Sequence, residues 1–287
     1  MNWSRFKFYC IDVSRRLEQA QPVAQAFTQA SSSVLATELG SEPKRQDISH
    51  TLLAQLKSGE YSASEVQQAL AIYQQLDCSA LSQQPSRLRR FGIYLGYLIL
   101  MYFILTSVYA IFVIPVALEL FEMSNMPAPS SFLWFAAHWA SLGGLVLLLL
   151  VGALLLSLQV QALFQYRTGI EKSMIFRWLM PKSIKTRYAQ VLALLHLPLG
   201  LAKPHADIAA LQSCEKMLQY LRQEAYSMSE VSGLLSLMLS EQLSALQSAA
   251  ETLLRRIYIA IAIVMIFSIY MFISSGYAPL FMMGEIT

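Results

Sequence analysis

Few residues in this chain have types and spacings that could do chemistry. Ser62 and Glu65 stand three apart in Tyr61-Ser-Ala-Ser-Glu65, and Ser227 and Glu230 repeat the spacing in Tyr226-Ser-Met-Ser-Glu230. A hydroxyl and a carboxylate so placed can satisfy free amides at a helix start, which is a capping box. The alternative is that the two glutamates present charge to a protein partner, or meet each other. Two arginine pairs, Arg89-Arg90 and Arg255-Arg256, each open a long uncharged run. Guanidinium groups there serve as snorkelling anchors at lipid headgroups, or as contacts for a cytoplasmic partner. His138 is the one histidine or charged residue inside an apolar run. An intramembrane ionisable group is a functional candidate by default, but Trp134 and Trp139 beside it suit an interfacial aromatic belt.

Other chemistries lack their residues. There is no G-x-x-x-x-G-K-[ST] loop, no H-E-x-x-H and no G-x-S-x-G. The apolar runs hold no acidic pair for an intramembrane aspartyl enzyme, and no Lys, Arg, Asp or Glu for an ion-coupled path. Cys10, Cys78 and Cys214 are widely separated, and His196 and His205 lack a partner at ligand spacing. Neither disulfides nor a metal or cofactor site is expected. The chain reads as a non-enzyme.

The elements that must position these groups are membrane spans. Hydrophobic residues make up 55% of the 287 and charged residues only 14%, against about 25% charged in a typical soluble domain. No charge occurs between Arg90 and Glu119, between Glu122 and Arg167, or between Arg256 and Glu285. A span needs about 20 apolar residues. Three are expected, at 91–114, 135–158 and 257–275, with a loop at 115–134 and a tail at 276–287. Ten of the 21 Lys and Arg lie in 1–90 and the other eleven in 167–256, with none in the loop or tail. The positive-inside rule then puts 1–90 and 159–256 in the cytoplasm, and the loop and tail outside. The net charge of +3 is a topology signal and gives no case for nucleic acid. The first 90 residues hold no apolar core of secretory-signal length.

The cytoplasmic segments show helical rather than strand periodicity. Helices are expected near 4–29, 47–58, 62–77, 171–179, 184–196, 205–223 and from 227 onward. Glu38 to Asp47 is a linker, and Pro181, Pro198, Gly200 and Pro204 mark breaks. The absence of proline between Pro204 and Pro279 leaves open whether the last helix runs unbroken into the third span.

The chemistry-bearing residues recur because a longer stretch recurs. Leu56 to Val66 reappears as Leu221 to Val231, Ser79 to Leu81 as Ser244 to Leu246, Arg89-Arg90 as Arg255-Arg256, and Pro115 as Pro279. Each proline closes its apolar run. The offsets stay between 164 and 166 residues. Two copies of a helical module feeding a span require spans one and three to be parallel, with span two as the return. The second copy keeps Ser232-Gly233 where the first has Gln67-Gln68, so the two modules are expected to face different partners. The fold class is therefore an all-α membrane protein, three transmembrane helices carrying two repeated helical-bundle modules.

That order of parts resembles the type II secretion F-protein family, which includes the inner-membrane platform proteins of type IV pilus machines. Ile114-Pro-Val-Ala-Leu-Glu-Leu-Phe121, then Met126-Pro and Ser130 to Trp139, resembles the family's stretch after its first span. Arg177-Trp-Leu-Met-Pro181 through Leu192 resembles the entry to its second module, and Tyr277 to Glu285 its ending. Ser229-Glu-Val-Ser-Gly-Leu-Leu235 resembles a Gly-Glu-x-Ser-Gly-x-Leu motif, matched less fully by Ser64 to Leu70. Ser240 to Leu246 offers a second register for it. The resemblance covers essentially the whole chain, with trimmed soluble modules. It implies a non-enzymatic platform in the bacterial inner membrane, coupling a cytoplasmic assembly ATPase to extraction of prepilin or pseudopilin subunits. Other inner-membrane assembly proteins would be partners, and self-association is expected through small residues such as Gly143, Gly144 and Gly152. The competing readings are a transporter or channel subunit, which needs a polar path through the spans, and an intramembrane enzyme built on His138.

Overall fold

The computed structural model describes residues 3–39, 47–77, 81, 86–123, 125, 127–166, 170, 174–202, 215–223 and 227–284. All regular structure among them is helical: α1 (Trp3–Glu18), α2 (Val23–Ser31), α3 (Val34–Glu38), α4 (Ile48–Lys57), α5 (Ala63–Gln75), α6 (Ser86–Val108), a π-turn (Tyr109–Val113), α7 (Ile114–Met123), α8 (Ser130–Leu163), α9 (Met174–Leu179), α10 (Lys182–Ala202), α11 (Glu215–Gln223) and α12 (Met228–Gly284). Most of the Glu38–Asp47 linker, Tyr226 and the stretch 203–214 lie outside the described residues. Two compact units form, Met1–Pro85 with Gln159–Ala250 and Ser86–Leu158 with Glu251–Thr287.

The first unit joins the two non-span segments. On α1, Trp3, Phe6, Cys10 and Val13 recur every three or four residues and are buried, the spacing of one helix face. Helix α1 packs on α2 and α5, and α5 packs on α10. The aromatic rings Trp3, Phe6 and Tyr73 meet edge to face at 5.4 Å each. A single helix over 4–29 does not form. Ala20 takes a left-handed conformation with φ 60°, the Gln19 and Gln21 amides donate back to the Arg16 carbonyl at 3.1 and 3.2 Å, and Pro22 opens α2. A left-handed residue of this kind is a common helix stop. The amide of Ile48 donates to the carbonyl of Tyr166 at 3.1 Å, so the unit is closed by residues far apart in sequence.

Pro198 and Gly200 were expected to break the chain, yet both lie inside α10. A mid-helix proline removes one amide donor and strains the turn before it. In that turn the Tyr73 hydroxyl donates to the Leu195 carbonyl at 2.6 Å. The carbonyl that Pro198 leaves without its amide donor is that of Leu194, four residues back, so the Tyr73 bond is an added tie between α5 and α10 one residue further on.

The second unit holds the span bundle. Three helices are long and apolar enough to cross a membrane: Arg90–Met123, Phe132–Leu163 and Met228–Ser274. Large side chains such as Tyr97, Ile111, Leu148 and Ile266 are 64–72% exposed on them, which suits contact with lipid rather than water. Helices α6 and α12 run parallel, because Phe91 meets Tyr258 at 6.0 Å and, further along both, Tyr102 Oη meets Ser268 Oγ at 3.1 Å. Helix α8 runs antiparallel to α6, with Tyr109 against Phe135 at 5.7 Å. Tyr109, Phe135 and Phe272 form the aromatic centre.

The prolines do not end their runs. Helix α7 carries the chain past Pro115 to Met123, and α12 continues past Pro279 to Gly284. The expected loop at 115–134 is therefore shortened to the residues between Met123 and Ser130. At Pro115 the reason is local. A proline has no amide to give the preceding turn, and its ring crowds a carbonyl there. The π-turn Tyr109–Val113, in which the Ile114 amide reaches the Tyr109 carbonyl, widens that turn and lets the helix continue.

Candidate functional site at the paired helix caps

The same cap is built twice. At Ser62 the backbone is extended (φ −66°, ψ 161°) and the hydroxyl accepts from the Glu65 amide at 3.3 Å. Glu65 Oε2 accepts from the Ser62 amide at 2.7 Å. At Ser227 the hydroxyl accepts from the Glu230 amide at 3.3 Å, and Glu230 Oε2 accepts from the Ser227 amide at 2.8 Å. Even the side contacts agree: Ser62 to Ser64 and Ser227 to Ser229 are both 3.1 Å. Each pair satisfies two donors of a first turn, the capping arrangement expected from the spacing. The second adds a bond from the Ser227 hydroxyl to Glu230 Oε2 at 2.7 Å.

The helices behind the two caps differ. Helix α5 ends at Gln75, whereas α12 runs on through 57 residues. The last helix is thus unbroken, and no turn separates Ser227 from the third apolar run. The far end of α5 leans on the start of α12. Ser232 Oγ donates to Gln75 Oε1 at 2.9 Å, and the Asp77 amide donates to Ser236 Oγ at 3.2 Å. Gln75 stands ten residues beyond Glu65, roughly 15 Å along a helix. The second cap therefore sits near the end of α5 opposite the first, and each glutamate closes its own cap.

This assigns Ser232 a place inside the unit, where it is 4% exposed. Gly233 next to it is exposed, and a Cβ built there meets nothing within 4 Å. With Glu230, Leu234, Leu237, Met238 and Glu241 it lies on the outward face of α12, opposite the buried Val231, Leu235 and Leu239. Spacings of three and four give this face an apolar centre between two carboxylates.

The arginine pairs come together in the span unit. Arg90, Arg255 and Arg256 are exposed, and the contact of Phe91 with Tyr258 sets them at one end of the parallel α6 and α12. Arg89 lies on α6, its side chain outside the described residues. Pro115 follows the π-turn, and Pro279 lies within α12, with its side chain outside the described residues. His138 stacks on Trp134 at 4.8 Å and 20°, and its Nδ1 donates to the Trp134 carbonyl at 2.9 Å. Of the three glycines considered for close approach, Gly143 meets Thr106 Cγ2 at 3.6 Å, while Gly144 and Gly152 have nothing within 4 Å of a built Cβ.

Other polar groups in the first unit are buried. His196 Nδ1 donates to the Leu192 carbonyl at 2.8 Å. Burial holds its pKa below the ordinary value, against a smaller upward pull from that bond. The Tyr61 phenol is pushed up by burial first and then by Glu60 and Glu65. Among the described residues no group of three or more His, Cys, Asp or Glu could hold a metal ion.

Sequence reading missed the junction of α5 with α12. Its signal was present in Ser229, Ser232 and Ser236, hydroxyls three and four apart on a helix rich in Leu, but their partner could not be read from spacing. Comparison with family models, curated proteins and solved structures finds no match.

Proposed function

We propose that this chain is the platform, or assembly core, of a type IV pilus or type II secretion machine in a bacterial inner membrane. It couples a cytoplasmic assembly ATPase to extraction and polymerisation of prepilin or pseudopilin subunits. The observation that carries the reading is the order of parts. The two segments flanking a pair of spans build one helical unit, and α12 bears both the exposed Glu230–Glu241 face and the third apolar run without a turn between them. A helix unbroken from a docking face to a span is a direct mechanical link. Glu65, Glu230 and Gly233 are the residues assigned to that docking role. Arg89, Arg90, Arg255 and Arg256 anchor the spans at the cytoplasmic headgroups. Other inner-membrane assembly proteins and further copies of the chain complete the partners, and the chain itself catalyses no reaction.

The test is copurification of the full chain with the assembly ATPase of its host, with loss of pili or secretion on deletion. If neither occurs, the proposal fails. Reporter fusions after Asn125 and at the C-terminus should read periplasmic, and those after Gln83 and Gln212 cytoplasmic. A cytoplasmic C-terminus would overturn the orientation.

A further inference from the structure

We infer that α9 and the basic residues after it form an interfacial anchor that docks on an anionic lipid surface. The inference rests on the apolar spans and is independent of the platform reading. Helix α9 is held on one side. Phe176 and Met180 are buried, and Phe176 packs edge to face on Tyr188 of α10 at 6.2 Å. Lys185 Nζ donates to the Arg177 carbonyl at 2.6 Å and lies 5.9 Å from the Phe176 ring centroid. The other side is apolar and outward: Trp178 is 82% exposed, Met174 73% and Leu179 49%. A tryptophan this open, on a short helix fixed from behind, is a surface awaiting an occupant.

Charge and chain length identify that occupant. Residues 167–187 contain six Lys and Arg against Glu171 alone, a net of 6 − 1 = +5. Arg177 and Lys182 are exposed beside the apolar residues, and Phe176, Arg177, Lys185 and Ala189 line an open depression. Met174 follows the end of α8 at Leu163 by eleven residues, a tether of at most about 40 Å. Basic residues within about 15–20 positions of a span face the headgroups on their side of the membrane. Tryptophan amid aliphatic side chains with a basic rim suits the bilayer interface, where ring and indole N–H need different surroundings. A protein-binding core would instead be depleted of charge.

The experiment uses the full chain in nanodiscs of phosphatidylcholine alone or mixed with phosphatidylglycerol, with lipids brominated near the headgroup. Subtracting the emission of Trp178→Phe from that of the wild type isolates Trp178 from Trp3, Trp134 and Trp139. In the anionic discs the difference emission should shift to shorter wavelength and be quenched severalfold by lipid bromine. High salt and the double variant Arg177→Gln, Lys182→Gln should each reverse this. Two results would overturn the inference. One is a difference spectrum quenched by acrylamide and untouched by lipid bromine in both compositions. The other is shielding that is equal in both lipids and rises with protein concentration, which assigns the surface to a second copy.

Discussion

Replacing Tyr73 with Phe isolates one hydroxyl in the core of the first unit. The ring is 1% exposed and would keep its edge-to-face contact with Phe6. The 2.6 Å bond to the Leu195 carbonyl disappears. A typical intramolecular hydrogen bond contributes about 0.5–1.5 kcal/mol net, and leaving a buried acceptor short of a donor raises the cost toward 1–3. The Leu195 carbonyl lies in the turn weakened by Pro198, so a loss of about 1–2 kcal/mol is expected, a factor of roughly 5–30 in the opening equilibrium. Native-state hydrogen exchange of the full chain in nanodiscs, read on peptides covering α5 and α10, measures this directly. Protection of the slowest amides should fall by that factor, while span peptides stay unchanged. Tyr73→Ala removes the ring as well and should cost about 3–5 kcal/mol. If Tyr73→Phe stays within about twofold of the wild type while Tyr73→Ala collapses protection, the ring alone matters and the hydrogen bond between α5 and α10 contributes nothing.

Three further outcomes are expected. His196 has a folded pKa below its unfolded value of 6.5, so the unfolded chain binds more protons in that window. Stability should be full above the unfolded value and fall as pH drops from it toward the folded one, and exchange-derived stability of His196→Gln should be flatter there. Ser62→Ala removes the acceptor for the Glu65 amide and should cost about 1 kcal/mol, seen as faster exchange confined to the first turn of α5. Tyr102→Phe removes the bond to Ser268 and should weaken the α6–α12 pairing by about 0.6 kcal/mol, read as more frequent opening in a disulfide-trapping assay between cysteines placed on the two helices.

The apolar runs and the two caps were legible because their signals are local. Uncharged intervals of span length and Ser-x-x-Glu spacings need no partner to be understood. Three prolines expected to stop a helix, Pro115, Pro198 and Pro279, lie within continuing helical stretches. Spacing shows that Pro115 cannot donate, but not that a π-turn carries the helix past it. The junction of Gln75 and Asp77 with Ser232 and Ser236 was invisible, because periodicity reports which face is polar and not what covers it. Trp178 was read only as part of a family-like stretch. Its exposure depends on which side of α9 the Phe176–Tyr188 contact takes.

The bond between the Asp77 amide and Ser236 spans 159 residues of sequence, and this sets an order in time. Ribosomal elongation at about 5–20 residues per second leaves roughly 8–30 seconds between the emergence of the two partners. During that interval the first two apolar runs enter the bilayer, while Leu70, Tyr73 and Leu76, all 1% exposed or less in the finished unit, still lack α10 and α12. Helix α5 can cap its own start at once, since Ser62 and Glu65 emerge together, but its other end stays unfinished until most of the chain is made. A nascent chain stalled before Lys182 would therefore leave uncovered the face of α5 that packs on α10 in the finished unit.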